Sequence, residues 1–578
     1  METAEQTKLT LPVVDKALNV LQANKTAWAE KPVKERIELL QQIKKRTLDV
    51  AAAWVDKACA MKNIPHGSPL AGEEWLSGPY TLIAACNGLI NTLSQLEGKK
   101  FVDSLNKKKL ANGQLAVELM PHSIWDHLLF SGIKAELWMQ PGVNVDNLKA
   151  NTASAYDIAE NERQAGVALV LGAGNIAAIT PLDCFHKLFL EHQVVLLKMN
   201  PVNDYLGAFF EQALSPLIDQ GYLQVVKGGG DVGAYLCEHE TIVSIHITGS
   251  KETHDLIVWG SKEVALANKQ ANTPVNTKPI TSELGAVCPT IIVPSNWTKA
   301  DLRFQAHHVA TQKLHNSGCN CVASQVLILS KQWPQLEAFL LQLQQALASA
   351  PERDAYYPGF NERLDKLAAK YGVENFSNFD IKRLLVNLDE AENPQHFYQN
   401  EIFAQALGIK LIDEIDSKEF LTKAIEFSNS ELFGTLGANI IIEPKVYKKL
   451  GQEWQLLLTD LKYGTIAINA WTGLGFLTPI CGWGGYPGHT LEDAGSGIGM
   501  VHNTFMFDKL QRTIVEAPFR PFPRNLLHGG MTLLPNPPWY VHNTRGAILG
   551  KLLTAFQFKP SFLKLPRIFF HALTARLK

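Results

Sequence analysis

A loop that ends in a cysteine is the part of this sequence best suited to covalent chemistry. The loop reads Asn-Ser-Gly-Cys-Asn-Cys over residues 316–321, and a carboxylate, Glu283, lies upstream in the segment SELGAVCP. A thiol in a loop of small residues can be exposed to substrate and served by backbone N–H groups, which lower its pKa and stabilise an oxyanion. A single cysteine is more often a small buried apolar residue, so the loop alone leaves both interpretations open.

Two glycine-containing turns could bind the phosphates of a dinucleotide. The segment LGAGNIA, Leu171–Ala177, follows a predicted strand and fits the pattern G-x-G-x-x-A, although the next strand ends in Lys198 where an acidic residue usually holds the ribose. The turn Thr248-Gly249-Ser250 ends an apolar strand and begins a polar helix, whose free N–H groups favour a phosphate. Each turn alone is equally well explained as an ordinary turn or a helix cap.

The elements that would position these residues alternate between short apolar runs and helix-length segments. Runs that do not alternate with polar residues are typical of parallel strands buried on both faces, so the predicted class is α/β. The predicted strands are Val167–Leu171, Val194–Leu197, Leu223–Val226, Val243–Ile247, Thr290–Val293, Val326–Leu329, Ile409–Ile412, Asn439–Ile442 and Thr465–Ile468. A surface helix is predicted over Lys34–Val50, and glycines and prolines exclude a membrane span over Thr465–Leu491.

From about Ala27 to Phe505, the ordered set of motifs resembles the aldehyde dehydrogenase superfamily. AGNIAAITPL is similar to the segment with the oxyanion-hole asparagine, here Asn175, and VVLLKMNP to the ribose-binding lysine segment, here Lys198. ITGS resembles the phosphate turn with Gly249 and Ser250, SELGAVCP the glutamate motif, and NSGCNC the nucleophile loop. NEIFAQALG is similar to the segment whose glutamate holds the nicotinamide ribose, here Glu401, followed by Phe403.

The resemblance implies a Rossmann-type cofactor domain, an α/β catalytic domain, a small oligomerisation element and a defined reaction. Cys321 would attack the aldehyde, Asn175 would hold the oxyanion, a hydride would pass to NAD or NADP, and Glu283 would activate water to hydrolyse the thioester. Cys321 is preferred to Cys319 because the motif places the nucleophile three residues after its glycine, Gly318. A medium- or long-chain aliphatic aldehyde is one expected substrate, and a homodimer or homotetramer is the expected assembly.

Several residues depart from the family's pattern. The usual second glycine and lysine of the glutamate motif are Ala286 and Val287, and Gly174 replaces an aromatic residue. Pro201 replaces a glutamate that would repel a 2′-phosphate, which makes NADP as compatible with the sequence as NAD. In the closing catalytic segment, which is stretched and altered, the best-matched residue is Asn469.

Two alternative functions stay open. The looser motifs also resemble the branch that makes or consumes acyl-coenzyme A, although the retained Glu283 favours hydrolysis. A catalytically silent member that acts as a membrane-associated scaffold is the second alternative.

The domain limits are predicted from the motifs and from composition. They are residues 1–280 for the N-terminal helices and cofactor domain, 281–461 for the catalytic domain, 462–516 for a return segment, and 517–578 for an extension that begins in the Pro-rich APFRPFPR. We expect this extension to form a separate tail or to pack on the body or on a neighbouring subunit.

The distribution of charge and the composition of the first ten residues indicate which partners and which cellular location to expect. The net charge of -2 argues against chain-wide attraction to nucleic acid, but residues 517–578 carry nine basic and no acidic residues. Basic and apolar residues together suit shallow docking on anionic lipid. The polar start METAEQTKLT indicates a cytoplasmic protein, with membrane association limited to the surface. His307, His308 and His315 form no metal-ligand pattern, so no metal is expected.

Overall fold

Strands and helices alternate along most of the chain. The computed structural model describes residues 4–372 and 382–577. The strands are β1 (Lys107–Lys109), β2 (Leu115–Met120), β3 (Lys134–Met139), β4 (Val167–Leu171), β5 (Val194–Lys198), β6 (Leu223–Val226), β7 (Ile242–Thr248), β8 (Ile280–Glu283), β9 (Cys288–Ile292), β10 (Ser324–Ser330), β11 (Leu384–Asn387), β12 (Ala406–Ile412), β13 (Gly437–Ile441), β14 (Thr465–Ile468), β15 (Gly482–Trp483), β16 (Val501–His502) and β17 (Leu510–Glu516).

The helices cover the sheets and connect the parallel strands. They are α1 (Ala4–Ala29), α2 (Val33–Met61), α3 (Ala71–Trp75), α4 (Thr81–Leu93), α5 (Lys100–Asp103), α6 (Ile124–Leu129), α7 (Ile179–Phe185), α8 (Gly207–Ala213), α9 (Ser215–Ile218), α10 (Gly230–Glu238), α11 (Lys251–Trp259), α12 (Lys262–Ala271), α13 (Lys299–Leu314), α14 (Leu336–Ser349), α15 (Phe360–Tyr371), α16 (Gln395–Gln399), α17 (Ser417–Glu431), α18 (Pro444–Leu450), α19 (Gln452–Asp460), α20 (Gly473–Phe476), α21 (Gly546–Phe558) and α22 (Leu565–Thr574). Within residues 4–372 and 382–577, no helix has both the length and the apolar composition needed to cross a bilayer.

Two sheets carry the fold. The smaller is parallel, with the strand order β6-β5-β4-β7-β8. The larger has the order β1-β2-β3-β17-β14-β13-β9-β10-β12-β11, parallel from β17 to β11 and antiparallel from β1 to the β3–β17 pair. Every predicted apolar run overlaps one of these strands, and the predicted α/β fold is confirmed.

The predicted apolar runs do not cover the antiparallel edge of the larger sheet, nor β8, β11, β15 and β16. Strands β2, β3 and β17 contain charged residues, among them Glu118, Glu136 and Arg512, which break the unalternating pattern. This edge joins residues from near both ends of the chain. The domain limits therefore stay a proposal, since sheet membership mixes early and late segments.

The C-terminal extension packs on the body of the same chain, contrary to a separate tail. Helix α21 lies so close to α3 that a Cβ atom on Gly72 would be 2.5 Å from the carbonyl carbon of Gly546. A Cβ atom on Gly550 would be 2.7 Å from the Cβ of Trp75. Glycine at both contact points permits this close backbone approach. The Pro-rich segment is thus a connection between packed elements.

Candidate active site

The site forms where the two sheets meet. Glu283 is the last residue of β8, and residues 284–287 cross to β9, which begins at Cys288. Cys321 lies just before β10, and Glu401 lies before β12. The carboxyl end of the smaller sheet therefore faces the amino ends of parallel strands in the larger sheet, and residues distant in sequence converge between them.

A cleft of about 580 Å³ opens at this junction. Of the eight site residues predicted from the sequence, those that line the cleft are Asn175, Gly249, Ser250, Glu283, Cys321, Glu401 and Phe403. Lys198, the last residue of β5, does not line the cleft. Asn200, two residues further along the chain, does.

Cys321 separates the polar cleft from an apolar pocket. The pocket has a volume of about 20 Å³ and is lined by Ile176, Ile179, Trp471, Phe476, Leu477 and Trp483, among others, besides Cys321 itself. The Trp471 indole N–H donates to the Val322 carbonyl at 3.1 Å, which fixes the ring beside the nucleophile loop. Cys321 thus borders a polar space on one side and a small apolar space on the other.

The pKa of Cys321 is raised, not lowered as the loop composition suggested. Burial raises the pKa of the thiol well above its usual value, and the nearby charges of Glu283 and Glu401 raise it further. Backbone N–H groups do not compensate for two adjacent carboxylates. A base is therefore needed to generate the thiolate.

Glu283 and Glu401 are unusually weak acids in this environment. Burial raises the pKa of Glu283 to about 7, and the charge of Asp183 adds to the shift. Burial raises the pKa of Glu401 to about 8, with a further contribution from the charge of Glu283. One carboxyl oxygen of each is buried and has no hydrogen-bond partner, so both carboxyl groups keep an unused acceptor.

Two N–H groups can receive an oxyanion beside the thiol. The Asn175 side-chain amide donates to the Cys319 carbonyl at 3.2 Å, and its second hydrogen stays available. Among the described residues, no partner accepts from the Cys321 backbone N–H. Both donors therefore remain free for a negatively charged oxygen.

A buried lysine, Lys62, hydrogen-bonds to the segments that carry Asn175 and the nucleophile loop. The Lys62 ammonium donates to Glu74 and to the Asn175 carbonyl, both at 2.9 Å, and to the Asn316 side chain at 3.2 Å. The Asn316 amide donates in turn to the carbonyls of Asn175 at 3.2 Å and Cys319 at 2.7 Å. The network joins the oxyanion-hole segment to the nucleophile loop, and no sequence motif indicated it.

A second buried ion pair supports the same loop. Glu73 accepts from the Asn316 backbone N–H at 3.0 Å and from the Arg353 guanidinium at 2.9 Å. Asn316 and Ser317 adopt left-handed backbone conformations with φ of 53° and 58°. Such conformations are costly for residues other than glycine, so the surrounding hydrogen bonds hold the loop in place.

Replacing Lys62 by methionine is expected to destabilise the protein by about 3–5 kcal/mol, because Glu74 would be left buried without its cation. Displacement of Asn175 and Asn316 should also lower kcat. Urea unfolding and steady-state kinetics measure the two effects. The control is Lys57→Met on the exposed face of α2. Equal stability of the two variants would show that the network contributes nothing.

The cleft fits the polar part of a dinucleotide. Ser250 caps the N-terminus of α11, where its side chain accepts from the Thr253 N–H, and the helix dipole there favours a phosphate. Glu401 offers its unpartnered oxygen to a ribose hydroxyl. It packs on Gly285, whose φ is +71° and where a Cβ atom would lie 2.8 Å from both carboxyl oxygens. Glycine is thus required beside Glu401.

Asn469 and the three histidines singled out in the sequence do not line the cleft. Asn469 pairs with the backbone of Ile442 through two hydrogen bonds of 2.9 Å and does not line the cleft. Its neighbour Trp471 borders Cys321 instead, because the chain turns between them. His307, His308 and His315 are buried, and burial lowers the pKa of each. No group of metal-ligating side chains occurs within the described part of the chain.

Comparisons with known proteins agree with this architecture. Residues 162–357 match the aldehyde dehydrogenase family. Aldehyde dehydrogenase family 3 member F1 of Arabidopsis thaliana is 28% identical over 127 residues, which cover 22% of this chain and 24% of that protein. The matching segment thus spans about a quarter of this relative's length.

Solved structures are similar over most of the chain. An aldehyde dehydrogenase of Mycobacterium tuberculosis complexed with NAD+ is 17% identical with a TM-score of 0.57, covering 86% of this chain and 89% of that one. A gamma-glutamyl-gamma-aminobutyraldehyde dehydrogenase of Burkholderia cenocepacia is 16% identical with a TM-score of 0.55, covering 87% and 88%. Residues 162–357 therefore match the aldehyde dehydrogenase family, and the described chain has the fold of solved aldehyde dehydrogenases.

Proposed function

We propose that this protein oxidises an aldehyde to a carboxylic acid with NAD or NADP as hydride acceptor. The observation that carries the proposal is the position of Cys321 between a polar cleft, which also contains Glu283 and Asn175, and an apolar pocket. A dinucleotide can lie on one side of the thiol and an aldehyde on the other. The fold of the M. tuberculosis enzyme, which was solved with NAD+, supports the cofactor class.

The first step needs a base close to the thiol. Because the pKa of Cys321 lies well above that of Glu283, Glu283 is the group that is ionised at slightly alkaline pH. Its carboxylate accepts the thiol proton as the sulfur bonds to the aldehyde carbon. The carbonyl oxygen becomes an oxyanion between the Asn175 amide and the Cys321 N–H.

The acyl group then stays on Cys321 as a thioester. When bound, the oxidised nicotinamide supplies the acceptor for the hydride that leaves the aldehyde carbon. Glu283, after releasing its proton to solvent, removes a proton from a water molecule that attacks the thioester. The carbon–sulfur bond breaks, the acid leaves, and Cys321 recovers its proton.

Product analysis with purified protein tests the proposal and its two alternatives. We expect free acid and reduced cofactor in equal amounts, without coenzyme A, from an unbranched aldehyde and either NAD or NADP. A strict requirement for coenzyme A would favour the acylating reaction, whose branch of the superfamily has the looser motifs that this sequence also resembles. Absence of cofactor reduction with every aldehyde tested would favour a silent scaffold.

The C-terminal extension presents a basic and apolar surface, for which we propose an anionic lipid bilayer as the occupant. Leu563 is 91% exposed and Phe562, Phe570 and Leu573 about 60% exposed. Exposed Lys559, Arg567 and Arg576 lie in the same segment, while Lys578 lies outside the described residues. Apolar side chains among cations, without any carboxylate in residues 517–577, complement a negatively charged membrane surface.

Replacing both Leu563 and Phe570 by glutamate is expected to abolish sedimentation with vesicles that contain phosphatidylserine. Two inserted apolar side chains are lost and two negative charges are added at the contact. The matched control is Leu266→Glu, at a residue 67% exposed on α12. Unchanged binding of the double variant, or absence of binding by the unmodified protein, would contradict the docking proposal.

The predicted homodimer or homotetramer stays a prediction.

A further inference from the structure

A second apolar cavity lies beyond the pocket that borders Cys321. It has a volume of about 280 Å³. Its walls come from α4 and the residues before it, from the end of β2 and the segment between β2 and β3, from α20 and the residues after it, and from the C-terminal extension. The extension supplies Pro538, Trp539, Leu553 and Gln557. We call it the extension cavity.

The extension cavity adjoins the pocket at Cys321. Leu477 lines both spaces and is partly exposed, so its side chain forms the partition between them. On the opposite wall, Leu76 lines the cavity and the next residue, Ser77, lines the pocket. A substrate chain that extends from the thiol to the cavity would therefore have to pass the Leu477 side chain.

Packing holds the wall that the extension contributes. Helix α21 contacts α3 through Gly72 and Gly546 at backbone distance. The ring of Phe556 lies 5.4 Å from that of Trp125 in an edge-to-face arrangement. Leu553 is only 7% exposed to solvent. This wall is part of the folded body and has a defined shape.

Two of the polar side chains that line the cavity have partners within the protein. Asn87 donates to the Gln557 carbonyl at 2.8 Å and accepts from Lys44 at 2.9 Å. Asp126 accepts from the backbone N–H groups of His122 and Ser123 at 2.9 and 2.8 Å. Most of the other lining residues, among them Leu474, Leu477 and Leu553, are apolar, and no lysine or arginine of the described residues lines the cavity. The cavity therefore offers a mainly apolar surface to a ligand.

We propose that the extension cavity binds the far end of an aldehyde with an extended apolar chain, and that Leu553 of α21 helps to determine substrate length. This inference rests on the proposed function. The aldehyde carbon would lie at Cys321, the first carbons would pass Leu477, and the rest of the chain would contact α21. Aldehydes whose far end is charged would be excluded.

The test is kcat/KM for a series of unbranched aldehydes of increasing length. Because each buried methylene contributes a roughly constant transfer free energy, kcat/KM should rise about fourfold per methylene until the cavity is filled. In a Leu553→Phe variant the rise should stop at a shorter aldehyde, with the shortest aldehydes unaffected. Gln557→Trp, at the cavity rim, should also shift the maximum to a shorter aldehyde. It replaces Leu553→Phe in the test if that variant does not fold.

The control is Ile548→Phe, at a residue 39% exposed on the same helix, which should keep the original length profile. Oxidation of short and long aldehydes with equal kcat/KM would overturn the inference and leave the proposed function intact. So would a folded Leu553→Phe or Gln557→Trp variant with the original profile. Failure to oxidise any aldehyde would instead overturn the proposed function, so the two failures are distinguishable.

Discussion

Replacing Cys321 by alanine is expected to lower the rate of aldehyde oxidation by about 10⁴-fold or more, because Cys321 is the only cysteine among the described residues that line the cleft. The variant should still fold, since alanine removes a single sulfur atom whose contacts are the Asn320 side-chain oxygen at 3.8 Å and the Glu283 carboxyl group. Cofactor reduction, followed by absorbance with saturating aldehyde, is the measurement.

Cys319→Ala is the matched control for this experiment. Cys319 is fully buried, and its thiol contacts the Phe403 carbonyl at 3.5 Å, away from the substrate side. Its removal should leave kcat within about tenfold of the original value, since only packing is lost. Loss of activity in the Cys319 variant, together with retained activity in the Cys321 variant, would show that Cys319 is the nucleophile and contradict the prediction.

Replacing Glu283 by glutamine is expected to lower kcat by roughly 10²–10⁴-fold, the usual contribution of a general base. The amide keeps the size of the side chain but cannot accept the proton of the thiol or of water. In the unmodified protein, the rate should rise as pH increases through about 7, because Glu283 must lose its proton to act. The variant should lack that rise.

The pH–rate profile of each protein, measured on both sides of pH 7, checks this expectation. Glu252→Gln is the control, since Glu252 is an exposed carboxylate that lines the same cleft. It should change the affinity for the cofactor more than the shape of the profile. If Glu283→Gln kept both the turnover and the pH dependence of the unmodified protein, another group would have to be the base.

The raised pKa of the Cys321 thiol has a consequence for these experiments. Without a cation beside it, the thiol stays protonated near neutral pH, and an alkylating reagent should react with it slowly. Slow labelling at neutral pH is therefore compatible with an active enzyme. The loss of turnover in Cys321→Ala, and not the labelling rate, decides whether this cysteine is the nucleophile.

Much of the fold could be predicted from the sequence because its strands are marked locally. Strands such as β4, β5 and β14 are unbroken apolar runs, since both faces of a parallel sheet are covered. The loop at residues 316–321, the turn at Gly249 and the glutamate at the end of β8 are short motifs whose residue types reflect their own backbone geometry. Each is readable because its constraint lies within a few residues.

Only the tertiary structure decided how these pieces act together. Strand β17 pairs with β3 across most of the chain, and Lys62 reaches Asn316 across 254 residues. Neither contact leaves a local pattern, because pairing and burial depend on residues far away in the chain. The sequence alone placed a thiol in a loop of small residues, whereas burial beside Glu283 and Glu401 decided its acidity. Packing of α21 on α3 likewise decided that the extension forms a wall of the body.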